Sequence, residues 1–219
     1  MKIHSSILKI VFFCLIFHFF VLMPIFTRPD VDAFSVWNFP LVQSVFFLLS
    51  LFILFTHKEL GEKTVHYGKY FIFYDFLFPA TFCTCLLFSI SFLLNGIAIL
   101  LKVSSPNYKI SLPENIIEWS FCLLTFIFSA SFEEVIYRFY LPEFILIFTG
   151  KAKKTSLIIE TAAALLFALA HFYAGIFAVI NGFFAHIILR KCYKKSGALF
   201  AGITAHFIYN FVQLFLAQL

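Results

Sequence analysis

Long apolar stretches, rich in Phe, Leu and Ile, alternate along this chain with short polar segments that hold most of its lysines. Runs of about 20 apolar residues mark membrane-spanning helices. On that pattern helices are predicted over 7–26, 39–55, 76–101, 116–148, 155–173, 174–190 and 197–217. The runs are continuous and do not alternate residue by residue, so a transmembrane barrel is disfavoured. The stretch from Tyr70 to Leu101 is too long for one straight span. Its first turns, interrupted by Asp75 and Pro79, would form an interfacial helix or part of an eighth span. The expected fold is therefore all-α, a polytopic transmembrane helical bundle of about seven or eight spans.

Charge adds an orientation. With the N-terminus inside, the inside segments hold Lys2, Lys9, Lys58, Lys63, Lys69, Lys151, Lys153, Lys154, Arg190, Lys191, Lys194 and Lys195. The outside segments hold only Arg28, Lys102 and Lys109. Twelve against three follows the positive-inside rule and sends the C-terminus outside, unless an eighth span exists. Lys2 and Lys9 precede an apolar run that reaches Phe26 with no small-residue cleavage site after it, so it reads as an uncleaved first span. The net charge of +5 is then cytoplasmic anchoring and not a nucleic-acid surface. The five cysteines show no paired spacing, and Cys83-x-Cys85 is too close for a zinc ribbon, so all five read as small packing residues.

Against this background the segment SFEEVIYRFY, residues 131–140, is out of place. A charge at the centre of a membrane helix costs about 2.5–3.5 kcal/mol, so Glu133, Glu134 and Arg138 unpaired would cost on the order of 8–10 kcal/mol. Residues four apart share a helical face, which pairs Glu134 with Arg138. Glu133, about 100° around the helix, is left as a free carboxylate facing another neighbour or a cavity. His171 ends FALAHF, and His206 and Asn210 lie four apart in AHFIYNF. Counted from the basic loops, Glu133 and His171 stand about 17 residues up their helices, roughly 25 Å, and Asn210 roughly 21 Å with His206 a turn lower. Three helices thus bring polar groups to one layer. His18, His186 and Asn181 also fall in spans, have no assigned partner and read as packing residues, with small residues at 182 and 185 marking close helix approach.

Taken in order, EEVIYR (133–138), FALAH (167–171) and HFIYN (206–210) resemble the E-E-x-x-x-R, F-x-x-x-H and H-x-x-x-N motifs of the type II CAAX prenyl endopeptidase family, the CPBP intramembrane proteases. The resemblance covers about 116–217, which divides the chain into N-terminal membrane spans (1–115) and a catalytic membrane core (116–217). It implies an intramembrane endopeptidase in which Glu133 activates water with help from His171. His206 and Asn210 would hold the oxyanion, with Glu134 and Arg138 in support. No Ser or Cys stands beside a His in the motif layer, so water is the expected attacker. The implied substrate is a membrane-associated protein or peptide, prenylated or signal-like, met in the lipid bilayer. The expected setting is a multi-pass protein of a bacterial inner (cytoplasmic) membrane.

No cofactor is expected. One alternative keeps the protease but binds Zn²⁺ through Glu133, His171 and His206, a plausible ligand set with water in the fourth position. No H-E-x-x-H motif supports it, and Asn210 suits an oxyanion donor better than a zinc ligand. A second alternative is a non-catalytic scaffold or immunity protein of the same fold. A proton-coupled transporter is weaker still, because the sequence shows no internal repeat.

Overall fold

The computed structural model describes residues 2–27, 37–57, 60, 72–103, 111–150 and 152–216. Arg28, Lys58, Lys63, Lys69, Lys109 and Lys151, which entered the orientation argument, lie outside the described residues. Those that are described form helices and connecting turns. Helix α1 (Lys2–Ile16) runs through a π-helical segment (Phe17–Leu22) into the short α2 (Met23–Phe26). Helix α3 (Leu41–Thr56) follows, and a second π segment (Ile72–Leu77) opens α4 (Phe78–Leu100). Helix α5 (Ile116–Glu133), a third π segment (Glu134–Tyr140) and α6 (Leu141–Thr149) make one long helix. Helices α7 (Lys153–Leu169), α8 (Ile176–Ser196) and α9 (Leu199–Leu216) complete the bundle.

The ends of these helices follow from local chemistry. Asn115 caps α5, its Oδ1 accepting from the N–H groups of Ile117 and Glu118 at 3.1 and 3.0 Å. Gly197 ends α8 at φ 73°, a left-handed position that suits glycine. Within the spans, Ser50, Thr84, Ser89, Thr125 and Ser131 return their hydroxyls to the carbonyl four residues back. That satisfies each hydroxyl without water, as an apolar medium requires.

Five helices are long and apolar enough to cross a membrane: Ile7–Phe26, Phe73–Leu100, Ile116–Thr149, Ile176–Ser196 and Leu199–Leu216. The protein is multi-pass. Leu41–Thr56 is apolar but shorter, and its 16 residues would reach about 24 Å against a hydrocarbon core of roughly 30 Å. The expected 155–173 span appears as Lys153–Leu169, with two lysines in its first turn and Glu160 at its centre. The expectation of a separate interfacial helix before Pro79 is corrected. Ile72–Leu100 is continuous, and Asp75 sits in its π-helical opening. Around the bundle the exposed side chains include Phe26, Phe55, Leu100, Ile116 and Phe200, a lipid-facing surface.

All three π segments end two residues before a proline: Pro24, Pro79 and Pro142. Proline lacks the N–H that would bond the carbonyl four residues earlier, and its ring crowds that carbonyl. A widened turn relieves the crowding. At the exits the backbone bonds run five residues back, Met23 to His18 and Leu141 to Ile136. In two of the three cases a side chain replaces the missing donor. Tyr137 Oη donates to the Phe20 carbonyl at 3.2 Å, and Arg190 Nη1 donates to the Arg138 carbonyl.

The π segment Glu134–Tyr140 is buried at every residue and forms the middle of the molecule. On one side it joins an aromatic-rich cluster with Ile16, Val21, Ile53, Ala163 and Phe167. On the other, α4, α8 and α9 pack through small residues, among them Ala80, Cys83, Ala185, Cys192, Ala201 and Ala205. Cys83, Cys122 and Cys192 are buried and free, as packing residues should be, while Cys14 and Cys85 are exposed.

Candidate active site

Helix α5 hands over to the π segment between the two glutamates, and this junction carries the charges into the centre. Glu134 and Arg138 are fully buried, with Arg138 Nε 3.3 Å from Glu134 Oε1. Neither Nη atom of Arg138 finds a hydrogen-bond partner among the described residues. Its guanidinium instead sits over the Phe167 ring, Cζ 3.8 Å from the centroid. A desolvated guanidinium on an aromatic face gains about 2 kcal/mol.

From α9, His206 enters between the glutamates. Its Nδ1 is 2.9 Å from Glu134 Oε1 and its Nε2 is 3.7 Å from Glu133 Oε2. Both carboxylates converge on one imidazole. They differ in exposure. The Glu133 side chain keeps 26% of its surface accessible, against 0% for Glu134. An ionised Glu134 only accepts, so Nδ1 of His206 carries the proton between them. Nε2 can then donate to a developing oxyanion only when the ring is an imidazolium.

Helix α7 ends at Leu169, and His171 stands in the turn that follows, not on a continuing helix. Its Nδ1 is 2.9 Å from the Phe167 carbonyl, one of the orphan acceptors at the end of α7. Donation from Nδ1 leaves Nε2 with its lone pair, the form a base or a ligand needs. Asn210, one turn beyond His206, is half-buried. Phe167 gathers the set: the rings of His171, His186 and His206 have centroids 4.7, 5.9 and 6.5 Å from its own.

Glycines set the close approaches. A Cβ on Gly202 would lie 3.0 Å from Glu134 Oε2, and one on Gly182 would lie 3.3 Å from Ala168 Cα. The first lets α9 pass over the buried carboxylate; the second seats α8 against α7. Asn181, expected without a partner, donates to Tyr209 Oη at 2.9 Å. His18 packs edge-on against Phe19, and His186 is buried with neither ring nitrogen hydrogen-bonded among the described residues.

The sequence reading missed a second charged cluster. Arg190, assigned there to a cytoplasmic segment, is 4% exposed inside α8 and bonds Glu143 of α6 and Glu160 of α7. The signal was present, because Glu143 and Glu160 are acids inside predicted spans and call for a cation. Among the described residues no group of three or more His, Cys, Asp or Glu side chains is arranged to hold a metal ion. Glu133, His171 and His206 are not gathered as a ligand set.

The residues that build this site fall inside one matched region. Residues 115–212 match the family model of type II CAAX prenyl endopeptidase Rce1-like. The match starts at the Asn115 cap of α5 and ends in α9, so it takes in Glu133, Glu134, Arg138, Phe167, His171, His206 and Asn210. No curated protein and no solved structure matches the chain.

Proposed function

We propose that this protein is an intramembrane endopeptidase that hydrolyses a peptide bond of a membrane-associated protein, prenylated or signal-like, in a bacterial cytoplasmic membrane. The observation that carries the reading is the pair of glutamates on the two nitrogens of His206, one sealed and one accessible, inside the matched region. Glu134 is held by Arg138 and His206 and has no route to solvent, which suits support. Glu133 is the carboxylate a water molecule can reach.

In the proposed reaction Glu133, assisted by His171, takes a proton from water as the water oxygen bonds to the scissile carbonyl carbon. His206, as an imidazolium, and Asn210 stabilise the oxyanion. The tetrahedral intermediate collapses with cleavage of the C–N bond, and the proton passes from Glu133 to the departing amine. A positioned base contributes about 10²–10⁴-fold and an oxyanion donor about 10²–10³-fold.

The test uses the purified full chain in lipid nanodiscs with two fluorogenic probes, a farnesylated CAAX peptide and an unprenylated apolar peptide. Cleavage of either by the wild type, and loss of at least about 10²-fold in Glu133→Gln with an unchanged melting curve, is the expected result. Full activity in a folded Glu133→Gln protein removes Glu133 as the base. Failure of the wild type to cleave both probes sinks the protease reading in favour of a scaffold.

A further inference from the structure

We propose that Arg190 of α8 is a positioning residue for this site, its guanidinium standing in for the backbone N–H that Pro142 lacks. Leu141 N–H closes the π segment on the Ile136 carbonyl. The next residue is Pro142, which can donate to neither the Tyr137 carbonyl five residues back nor the Arg138 carbonyl four residues back. The Arg138 carbonyl is buried in the middle of the bundle, where no lipid or water can serve it.

Arg190 supplies the donor. Its Nη1 donates to the Arg138 carbonyl. Nε donates to Glu160 Oε2 and Oε1 at 2.8 and 3.1 Å, and Nη2 to Glu143 Oε1 at 2.6 Å and Glu160 Oε1 at 2.7 Å. All three nitrogens are engaged, on the π segment, on α6 and on α7. Lys194 adds a second cation to Glu160 at 2.6 Å, so two acids face two bases. A lysine could not replace this fork, because an ammonium is a compact point charge and cannot span three separated acceptors.

The same device occurs at the first π segment. Pro24 leaves the Phe20 carbonyl without its donor, and Tyr137 supplies one. The device thus appears at two of the three prolines that end a π segment, each time with a side-chain donor from a distant part of the chain. At the third segment the consequence reaches the site, because the restrained residue is Arg138 itself. Its main chain is held by Arg190 while its side chain faces Glu134, which in turn faces His206. The effect on catalysis rests on the proposed peptidase reading; the effect on the backbone does not.

The experiment pairs Arg190→Lys with Pro142→Ala, which restores an N–H at the position that lost it. Hydrogen exchange is followed by mass spectrometry over peptides covering 134–143, and cleavage of the farnesylated CAAX peptide is followed in parallel. Arg190→Lys is expected to speed exchange across 134–143 about tenfold, as loss of a charge-assisted hydrogen bond would. It is also expected to lower kcat with KM unchanged. Adding Pro142→Ala should restore most of both. Unchanged exchange at 134–143, or a loss that Pro142→Ala does not repair, overturns the proposal and reduces Arg190 to an ion-pair partner of α7. Should Arg190→Lys fail to fold, folding of the double variant is the rescue, and failure of both overturns it. A wild type that cleaves nothing strikes the peptidase reading alone and leaves the exchange result to decide this one.

Discussion

Replacing Glu134 by Gln isolates the charge of the buried pair from its hydrogen bonding. Gln keeps the volume, and its Oε1 can still accept from His206 Nδ1, now 2.9 Å from Glu134 Oε1. What disappears is the carboxylate 3.3 Å from Arg138 Nε, in a pair with no exposed surface on either side chain. Arg138 already has two Nη groups without hydrogen-bond partners among the described residues, so nothing nearby takes over the lost anion except Glu133. Breaking a buried pair by removing one partner costs about 3–5 kcal/mol. For a chain of this size that corresponds to a fall in Tm on the order of 10 °C. Arg138→Met should cost a similar amount from the other side, because it strands the Glu134 carboxylate. The double variant should be more stable than the sum of the singles by about 1–3 kcal/mol. Buried Cys83, Cys122 and Cys192 provide the assay, since a thiol-reactive dye labels them as the bundle opens, above a baseline from exposed Cys14 and Cys85. Two silent single variants, or a double variant equal to the sum of the singles, would refute the ion-pair argument.

Three further outcomes are expected. Asn210→Ala should lower kcat about 10²–10³-fold with little change in KM, measured by single-turnover cleavage; early melting or normal cleavage would take Asn210 out of the oxyanion site. Gly202→Ala should destabilise by about 1–3 kcal/mol, because its methyl meets a carboxylate pinned by Arg138 and His206. The same change in a Glu134→Ala background should be nearly neutral in a melting assay, and equal costs in both backgrounds would place the strain elsewhere. Cleavage should survive a strong chelator with no zinc in the purified protein; activity lost to the chelator and restored by Zn²⁺ would favour the metal alternative.

Much of the architecture was legible because a bilayer imposes a simple rule on sequence. The apolar runs located the helices, and the layer argument placed the three motifs on neighbouring segments. The structure brings Glu133, Glu134 and His206 together as that layer suggests. What failed was local geometry. The α-helix stops at Glu133 and the turn widens at Glu134, so both carboxylates reach His206 although only Glu133 keeps accessible surface. A straight helix would carry His171, yet α7 ends two residues before it. Arg190 adjoins Lys191, Lys194 and Lys195 in sequence, and adjacency hides its burial; α8 continues to Ser196 and takes Arg190 inside. Partners 30 and 47 residues away, Glu160 and Glu143, leave no local periodicity to read.

The prolines show how a local defect becomes a long-range constraint. An unpaired carbonyl inside a membrane costs several kcal/mol, and at Pro24 and Pro142 the missing N–H is answered by a side chain from elsewhere in the chain. A proline four residues after Arg138 therefore does more than bend the helix. It frees the main-chain acceptor of the same residue whose side chain pairs with Glu134. Arg138 is then fixed twice, by Arg190 through its carbonyl and by Glu134 and Phe167 through its guanidinium. Tyr137, one residue earlier, extends the chain of dependence by answering the Phe20 carbonyl that Pro24 frees. The segment Glu134–Tyr140 is thereby tied to the first π segment, α7, α8 and α9 at once. That is the arrangement a site needs when two carboxylates must hold their positions on one imidazole while a third surface, the accessible edge of Glu133, stays open.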